Sequence, residues 1–170
     1  MKNNQKRPPN KKTSQVAALC YDLSDRGKLK ILLITSRRSK RWIVPKGWPV
    51  KGLKPYETAE KEAFEEAGVV GDILNFCIGK YSYVKEMEDS YITCNVAVYP
   101  LKVNYLLDNY KEKEERENQW MTQKDAWNAV IEPELRHIIK TFSPKILLNS
   151  ISINKKIKDN ILASFKMDII

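Results

Sequence analysis

Apolar and polar residues alternate through two early runs, 15–21 and 28–36, which predicts two β-strands. Asp25-Arg26-Gly27 between them is a turn signal, so the two are expected to fold back as a hairpin. A short third strand is expected over 41–45. The period then changes. Ala59, Ala63 and Ala67 recur at helical spacing with Tyr56 and Phe64 beside them, and Glu62, Glu65 and Glu66 share the opposite face at i, i+3 and i+4. Pro55 suits the first turn of that helix and Gly68 the position just past its end. A period of two resumes over 72–84 and 90–101, joined by the charged turn 85–89. In the second of these runs Ile92, Cys94, Val96 and Val98 line one face, while Tyr91, Thr93, Asn95 and Tyr99 suggest that the other face is covered or lines a cleft. Tyr81 and Tyr83 read first as structural tyrosines and second as substrate contacts. Residues 102–121 are expected to be irregular, and helices are expected over 122–130, capped by Thr122, and 133–142, opened by Pro133.

With 170 residues and a hydrophobic fraction of 42%, the chain is long enough for one domain with its own core. The expected division is a flexible basic tail over 1–13, a folded domain over 14–142 and a helical extension over 143–170. No apolar run approaches the roughly 18–20 residues that would span a bilayer, and the basic N-terminus lacks an apolar signal segment, so a cytoplasmic setting is expected. Cys20, Cys77 and Cys94 lie singly in strand-like segments without metal spacing, and read as reduced core residues. His137 reads as a surface or capping residue. More than half of the net charge of +9 comes from the five cations of residues 1–12. Such a tail could touch RNA weakly and in a salt-dependent way, although a merely solvated tail is the plainer reading.

Candidate chemistry concentrates in residues 37–69. Three carboxylates crowded on one helical face repel one another, and they persist at neutral pH most readily beside cations. Read alone, EAFEEAG is a solvated acidic face. Yet Arg37, Arg38, Lys40, Arg41, Lys46, Lys51 and Lys54 precede it with no acid among residues 37–54. Cations beside a carboxylate cluster describe a site where a divalent ion meets phosphate. Gly47 adds a position at which a main-chain carbonyl can approach an ion without a side chain in the way.

Lys61-Glu62-Ala63-Phe64-Glu65-Glu66-Ala67-Gly68-Val69 resembles the second half of the Nudix box, G-x5-E-x7-R-E-U-x-E-E-x-G-U with U apolar. Gly47 falls on the box glycine, so the box covers 47–69, and the surrounding pattern matches over about 14–142. Arg41-Trp42-Ile43-Val44-Pro45 is similar to the strand that leads into the box in the diphosphoinositol polyphosphate phosphohydrolase branch. The resemblance implies an α/β protein, an α/β/α sandwich with a mixed β-sheet. It further implies Mg²⁺- or Mn²⁺-dependent hydrolysis of a phosphoanhydride in a phosphorylated small molecule, such as a dinucleoside polyphosphate or a diphosphoinositol polyphosphate. Glu62, Glu65 and Glu66 would hold the metal together with the main-chain carbonyl of Lys46 or Gly47, and Glu65 would accept the proton of the attacking water. Lys61 stands at the box arginine, and Leu53 replaces the first box glutamate. Glu115 stands where a loop carboxylate is often added. Arg37, Arg41, Lys46, Lys51 and Arg116 are the expected substrate-binding cations. RNA 5′-pyrophosphohydrolase activity is the alternative that uses the tail. A Nudix-fold sensor without catalysis is the alternative that Leu53 and Lys61 would favour, and oligomeric state is left open. A basic nucleic-acid-binding protein is a third class, but the chain lacks a recognition-helix or aromatic-platform signature.

Overall fold

The computed structural model describes residues 11–23, 28–87, 91–147 and 149. Most of the expected basic tail, its proposed RNA contact and residues 150–170 of the expected extension lie outside the described residues. The chain divides into two compact units, Met1–Lys140 and Thr141–Ile170, and the first carries the fold described below. Its strands are β1 (Lys11–Leu23), β2 (Leu29–Thr35), β3 (Trp42–Ile43), β4 (Lys46–Gly47), β5 (Val69–Ile73), β6 (Gly79–Glu86), β7 (Tyr91–Leu106) and β8 (Asn118–Thr122). The helices are α1 (Pro55–Ala67), α2 (Gln123–Ala129) and α3 (Pro133–Thr141).

β1 and β7 form the centre of a mixed sheet. They run parallel from Lys11↔Ile92 to Tyr21↔Lys102, and every other pairing is antiparallel. The main path through the sheet is β3-β2-β1-β7-β5, with β4 on β1, β6 on β7 and β8 on β2. The expected hairpin is present as the antiparallel β1–β2 pair, with Tyr21 opposite Ile31.

Alternation sorts the core into two layers. Val16, Ala18, Cys20, Leu32, Ile34, Leu101 and Val103 pack against Ala59, Ala63 and Ala67 of α1. Those three alanines are fully buried, and their small side chains let the helix lie close on the sheet. The opposite face carries Ala17, Leu19, Ile31, Leu33, Val96 and Val98, all buried. α2 packs over β2 and β8 on that side, and Ile138 of α3 sits so close to Gly79 that a β-carbon there would overlap it. The result is the expected α/β/α arrangement.

Three local expectations are corrected. The strand expected over 72–84 is two strands, because 74–78 leaves the ladder between β5 and β6. The carbonyls of Pro100 and Val98 still accept from Leu74 N–H at 3.0 Å and Ile78 N–H at 2.9 Å. Pro100 has no N–H to return, so the edge ladder is interrupted opposite it. Cys77 falls in this break and is exposed, whereas Cys20 and Cys94 are buried. Of the stretch 102–121 expected to be irregular, only 107–117 is loop: β7 continues to Leu106, and Asn118–Thr122 pairs with β2. Met121 is the one buried side chain of β8, which leaves too short an alternation to read from sequence.

Ala63→Leu would force branched bulk between α1 and the sheet. We expect a loss of about 1–3 kcal/mol in urea-unfolding free energy, and unchanged stability would contradict this packing.

Candidate functional site

α1 starts and stops where its sequence says it should. Lys54 N–H donates to Glu57 Oε2 at 2.7 Å, Pro55 occupies the first turn, and Gly68 closes the helix in the left-handed region at φ 66°. Tyr110 lies over Gly68, so any β-carbon there would meet its ring. The helix is thereby fixed at both ends, which sets the height of Glu62, Glu65 and Glu66 above the sheet.

Each of the three carboxylates has a different environment. Glu66 is buried; its Oε2 accepts from Lys46 N–H at 3.0 Å, and its Oε1 pairs with Arg116 Nη2. Burial pushes the Glu66 carboxyl up to about 7, against the opposing pull of Arg116 and the Lys46 N–H. Glu65 is held by Lys61 Nζ at 2.5 Å and Lys111 Nζ at 3.1 Å; the Lys61 hydrogen bond is the main cause of its lowered pKa. Glu62 has no hydrogen bond or ion pair among the described residues. It is half-buried, which raises its pKa, and it lies against Gly47 so closely that a β-carbon there would overlap its carboxylate.

The box glycine is therefore required by steric contact. β4 pairs with β1 through Val16↔Gly47 and Ala17↔Lys46, and Pro45 C=O accepts from Ala18 N–H at 3.0 Å. This short strand brings a bare main-chain segment to the acidic face of α1.

The loop between β7 and β8 closes the other side. Leu107 N–H donates to Gly68 C=O at 2.8 Å, and Glu112 N–H to Glu65 C=O at 3.1 Å. Arg116, expected to face substrate, is instead buried. Its Nε donates to Glu112 Oε2 at 2.6 Å, its Nη1 to Thr35 C=O at 3.0 Å, and its Nη2 to Glu66. All three nitrogens of the guanidinium face protein acceptors, so it braces Glu66. Glu115, expected beside the metal, is exposed and faces Arg37 Nη1 at 3.4 Å, while its carbonyl accepts from Lys40 Nζ at 2.9 Å. The loop acid that approaches the cluster is Glu112, which raises the pKa of both Glu62 and Glu66 as a minor cause beside burial. Within the charged run 111–117, the only signal for Glu112 was its spacing of four residues before Arg116.

The remaining cations spread outward from this point. Arg37 is exposed and paired with Glu115, Arg41 Nε donates to Ser39 Oγ at 3.0 Å, and Lys51 is exposed without a bonded partner among the described residues. Lys46 turns its ammonium to the other sheet face, 4.7 Å from the centre of the Tyr83 ring. Desolvation lowers its pKa. Leu53 is exposed, so the core has not been rebuilt around this departure from the box.

The donors suit a hard divalent ion: three carboxylates, of which Glu62 is unpartnered among the described residues, beside an approachable main chain. Among the described residues no three acidic, His or Cys side chains already surround a common point. Glu65 and Glu66 face their cations, and Glu62 is the carboxylate open to an ion.

The NUDIX domain family model matches residues 13–142. The chain belongs to the Nudix family. It is 31% identical over 118 residues to Nudix hydrolase 16, mitochondrial, of Arabidopsis thaliana, which covers 66% of this chain and 65% of that protein. It is also 31% identical over 114 residues to human diphosphoinositol polyphosphate phosphohydrolase 3-beta, covering 66% and 65%. The matched region spans about half to two thirds of the length of such relatives. The fold is shared with a C. elegans Ap4A hydrolase binary complex at a TM-score of 0.59 and 20% identity, over 79% of this chain and 97% of that one. Within this Nudix domain, Lys61 keeps a cation at the box arginine and, among the described residues, hydrogen-bonds one carboxylate, Glu65, where a guanidinium fork could span two.

Arg116→Ala would leave Glu66 and Glu112 without their buried cation, and we expect a loss of about 3–5 kcal/mol in chemical unfolding. Glu66→Gln should cost less in that background than in the wild type. Additive effects in this double-mutant cycle would contradict the pairing.

Proposed function

We propose that the chain is a Mg²⁺-dependent pyrophosphohydrolase that cleaves a phosphoanhydride in a diphosphate-linked or multiply phosphorylated small molecule. Dinucleoside polyphosphates and diphosphoinositol polyphosphates are the two substrate classes favoured. The observation that carries this reading is the half-buried Glu62 carboxylate, unpartnered among the described residues and lying against Gly47, one helical turn from the buried Glu66.

Glu62 and Glu66 would hold the ion, with the main-chain carbonyl of Lys46 or Gly47 completing the protein's share and Glu65 at the outer edge. Mn²⁺ would fit the same oxygen donors. When bound, the ion supplies Lewis-acid polarisation of the anhydride and activation of water. The chain's own residues do the rest. Lys46 N–H and Arg116 fix Glu66, so its oxygens are preorganised, and α1 keeps the carboxylates at one height above the sheet. The carboxylate that takes the proton from water must be unprotonated and near the ion. Glu65, held ionised by Lys61 and Lys111, meets the first condition. Arg37, Arg41 and Lys51, exposed at the rim, would meet the outer phosphates, whose charge is the main electrostatic demand of phosphoryl transfer. A cytoplasmic setting belongs to the same proposal; among the described residues no helix is long and apolar enough to cross a membrane.

A non-catalytic sensor is the second reading, favoured by the cations Lys61, Lys111 and Arg116 already paired with Glu65 and Glu66.

Phosphate release, with and without Mg²⁺, separates the two. The panel holds dinucleoside polyphosphates, diphosphoinositol polyphosphates, nucleoside triphosphates and 5′-triphosphorylated RNA. We expect Mg²⁺-dependent release from at least one, reduced by at least about 100-fold in Glu62→Gln without loss of stability, a size typical of lost electrostatic stabilisation. Glu66→Gln should lose both activity and stability. No release from any compound would contradict the hydrolase, and full activity in Glu62→Gln would remove that residue from the site. Leu53→Glu should leave stability within about 0.5 kcal/mol, as expected of an exposed position.

A further inference from the structure

Beside Glu62 and Glu66, the acidic face of α1 carries a carboxylate whose two oxygens are both taken by ammonium groups. Glu65 Oε1 accepts from Lys61 Nζ at 2.5 Å, and its Oε2 from Lys111 Nζ at 3.1 Å. The two cations are held differently. Lys61 lies on α1 itself, one turn before Glu65, with 40% of its side chain exposed. Lys111 comes from the loop between β7 and β8, with 64% of its side chain exposed. Glu65 is its only hydrogen-bond or ion-pair partner among the described residues. One such contact, made by a flexible four-carbon stem open to water, is weakly held and readily given up.

The loop does not depend on that contact. Glu112 N–H donates to Glu65 C=O at 3.1 Å, and the Glu112 carboxylate accepts from Arg116 Nε at 2.6 Å. The loop backbone therefore stays on α1 when the Lys111 ammonium swings out. That ammonium also acts beyond Glu65. The Glu65 hydrogen bond raises the Lys111 pKa, with lesser help from Glu112 and Glu62, so Lys111 stays charged. In return its charge works against burial at Glu62, as a minor cause that lowers the carboxyl pKa. A positive charge thus stands within electrostatic reach of the open carboxylate as well as the closed one, and it opposes the approach of a divalent ion to Glu65 most of all.

We propose that Lys111 is a resident counter-cation that limits the acidic face of α1 to one tightly held divalent ion. It leaves Glu62 and Glu66 to a first ion, and it must release Glu65 before a second can bind there. Lys61, fixed on the helix, stays on Glu65 in both states. This inference rests on the divalent-ion reading above and adds to it the number of ions and the residue that sets that number.

The test is equilibrium dialysis of Mn²⁺ against the full chain, counting the ions bound per chain. The wild type should hold one ion tightly and a second only weakly. Lys111→Met should tighten the second by at least about fivefold, the upper size of one exposed ion pair. Lys111→Arg keeps the charge and should stay within about twofold of the wild type. Lys113 carries the same charge in the same loop, but its ammonium donates to Asp108 C=O and not to an acid. Lys113→Met should therefore also stay within about twofold, which separates the Glu65 contact from a mere change in net charge. Two tightly held ions in the wild type would overturn the proposal. So would a second ion that is equally weak in Lys111→Met, or one tightened equally by Lys113→Met. In each of those outcomes the first ion is still bound and the ion site stands. No ion bound by any of these proteins would instead overturn the site itself, and this inference with it.

Discussion

A buried carboxylate is costly unless its oxygens are matched, and the arrangement of this domain follows from matching those of Glu66. One oxygen takes the main-chain N–H of Lys46 and the other takes Arg116. Arg116 in turn requires Glu112 and the carbonyl of Thr35. Three separate segments are thereby drawn to α1: the β3–β4 region, the end of β2 and the loop before β8. Removing any one partner leaves a charge or a donor unmatched in the interior, which is why the constellation is either assembled as a whole or not at all.

The same economy explains how so many charges coexist. Lys61, Lys111 and Arg116 neutralise the chain's own acids, and Arg37 and Lys40 hold the loop through Glu115. What is left open is narrower than the raw charge of the loop suggests. Glu62 faces the Gly47 backbone without a partner among the described residues, and exposed cations such as Lys51 stand outside it. A site with one open carboxylate inside a neutralised frame can take a cation without collapsing its neighbours.

Much of this was legible in the chain because its signals are local. The helix with its Pro55 and Gly68 ends, the alanine stripe, the β1–β2 hairpin, the Thr122 cap and the Pro133 start each depend on neighbours within a few residues. What could not be read depends on distant partners. The break at 74–78 follows from the missing N–H of Pro100 on the adjacent strand. Arg116 looked like a rim cation because its acceptors, Thr35 and Glu66, are far away in sequence. Within the run 111–117, Glu112 and Glu115 are chemically alike, and only the turn of the loop decides which one reaches Arg116.

The proposed divalent-ion site is the acidic face of α1, docked on the Lys46–Gly47 backbone, with Glu62 as its open ligand. Titration of Mn²⁺ into the full chain, with free ion followed by electron paramagnetic resonance, tests it most directly. The account predicts saturable binding that Mg²⁺ displaces and that Glu62→Gln weakens by at least about tenfold, the loss of one charged ligand, with the circular dichroism spectrum unchanged. Binding of equal strength in Glu62→Gln, or no saturable binding in the wild type, would contradict it.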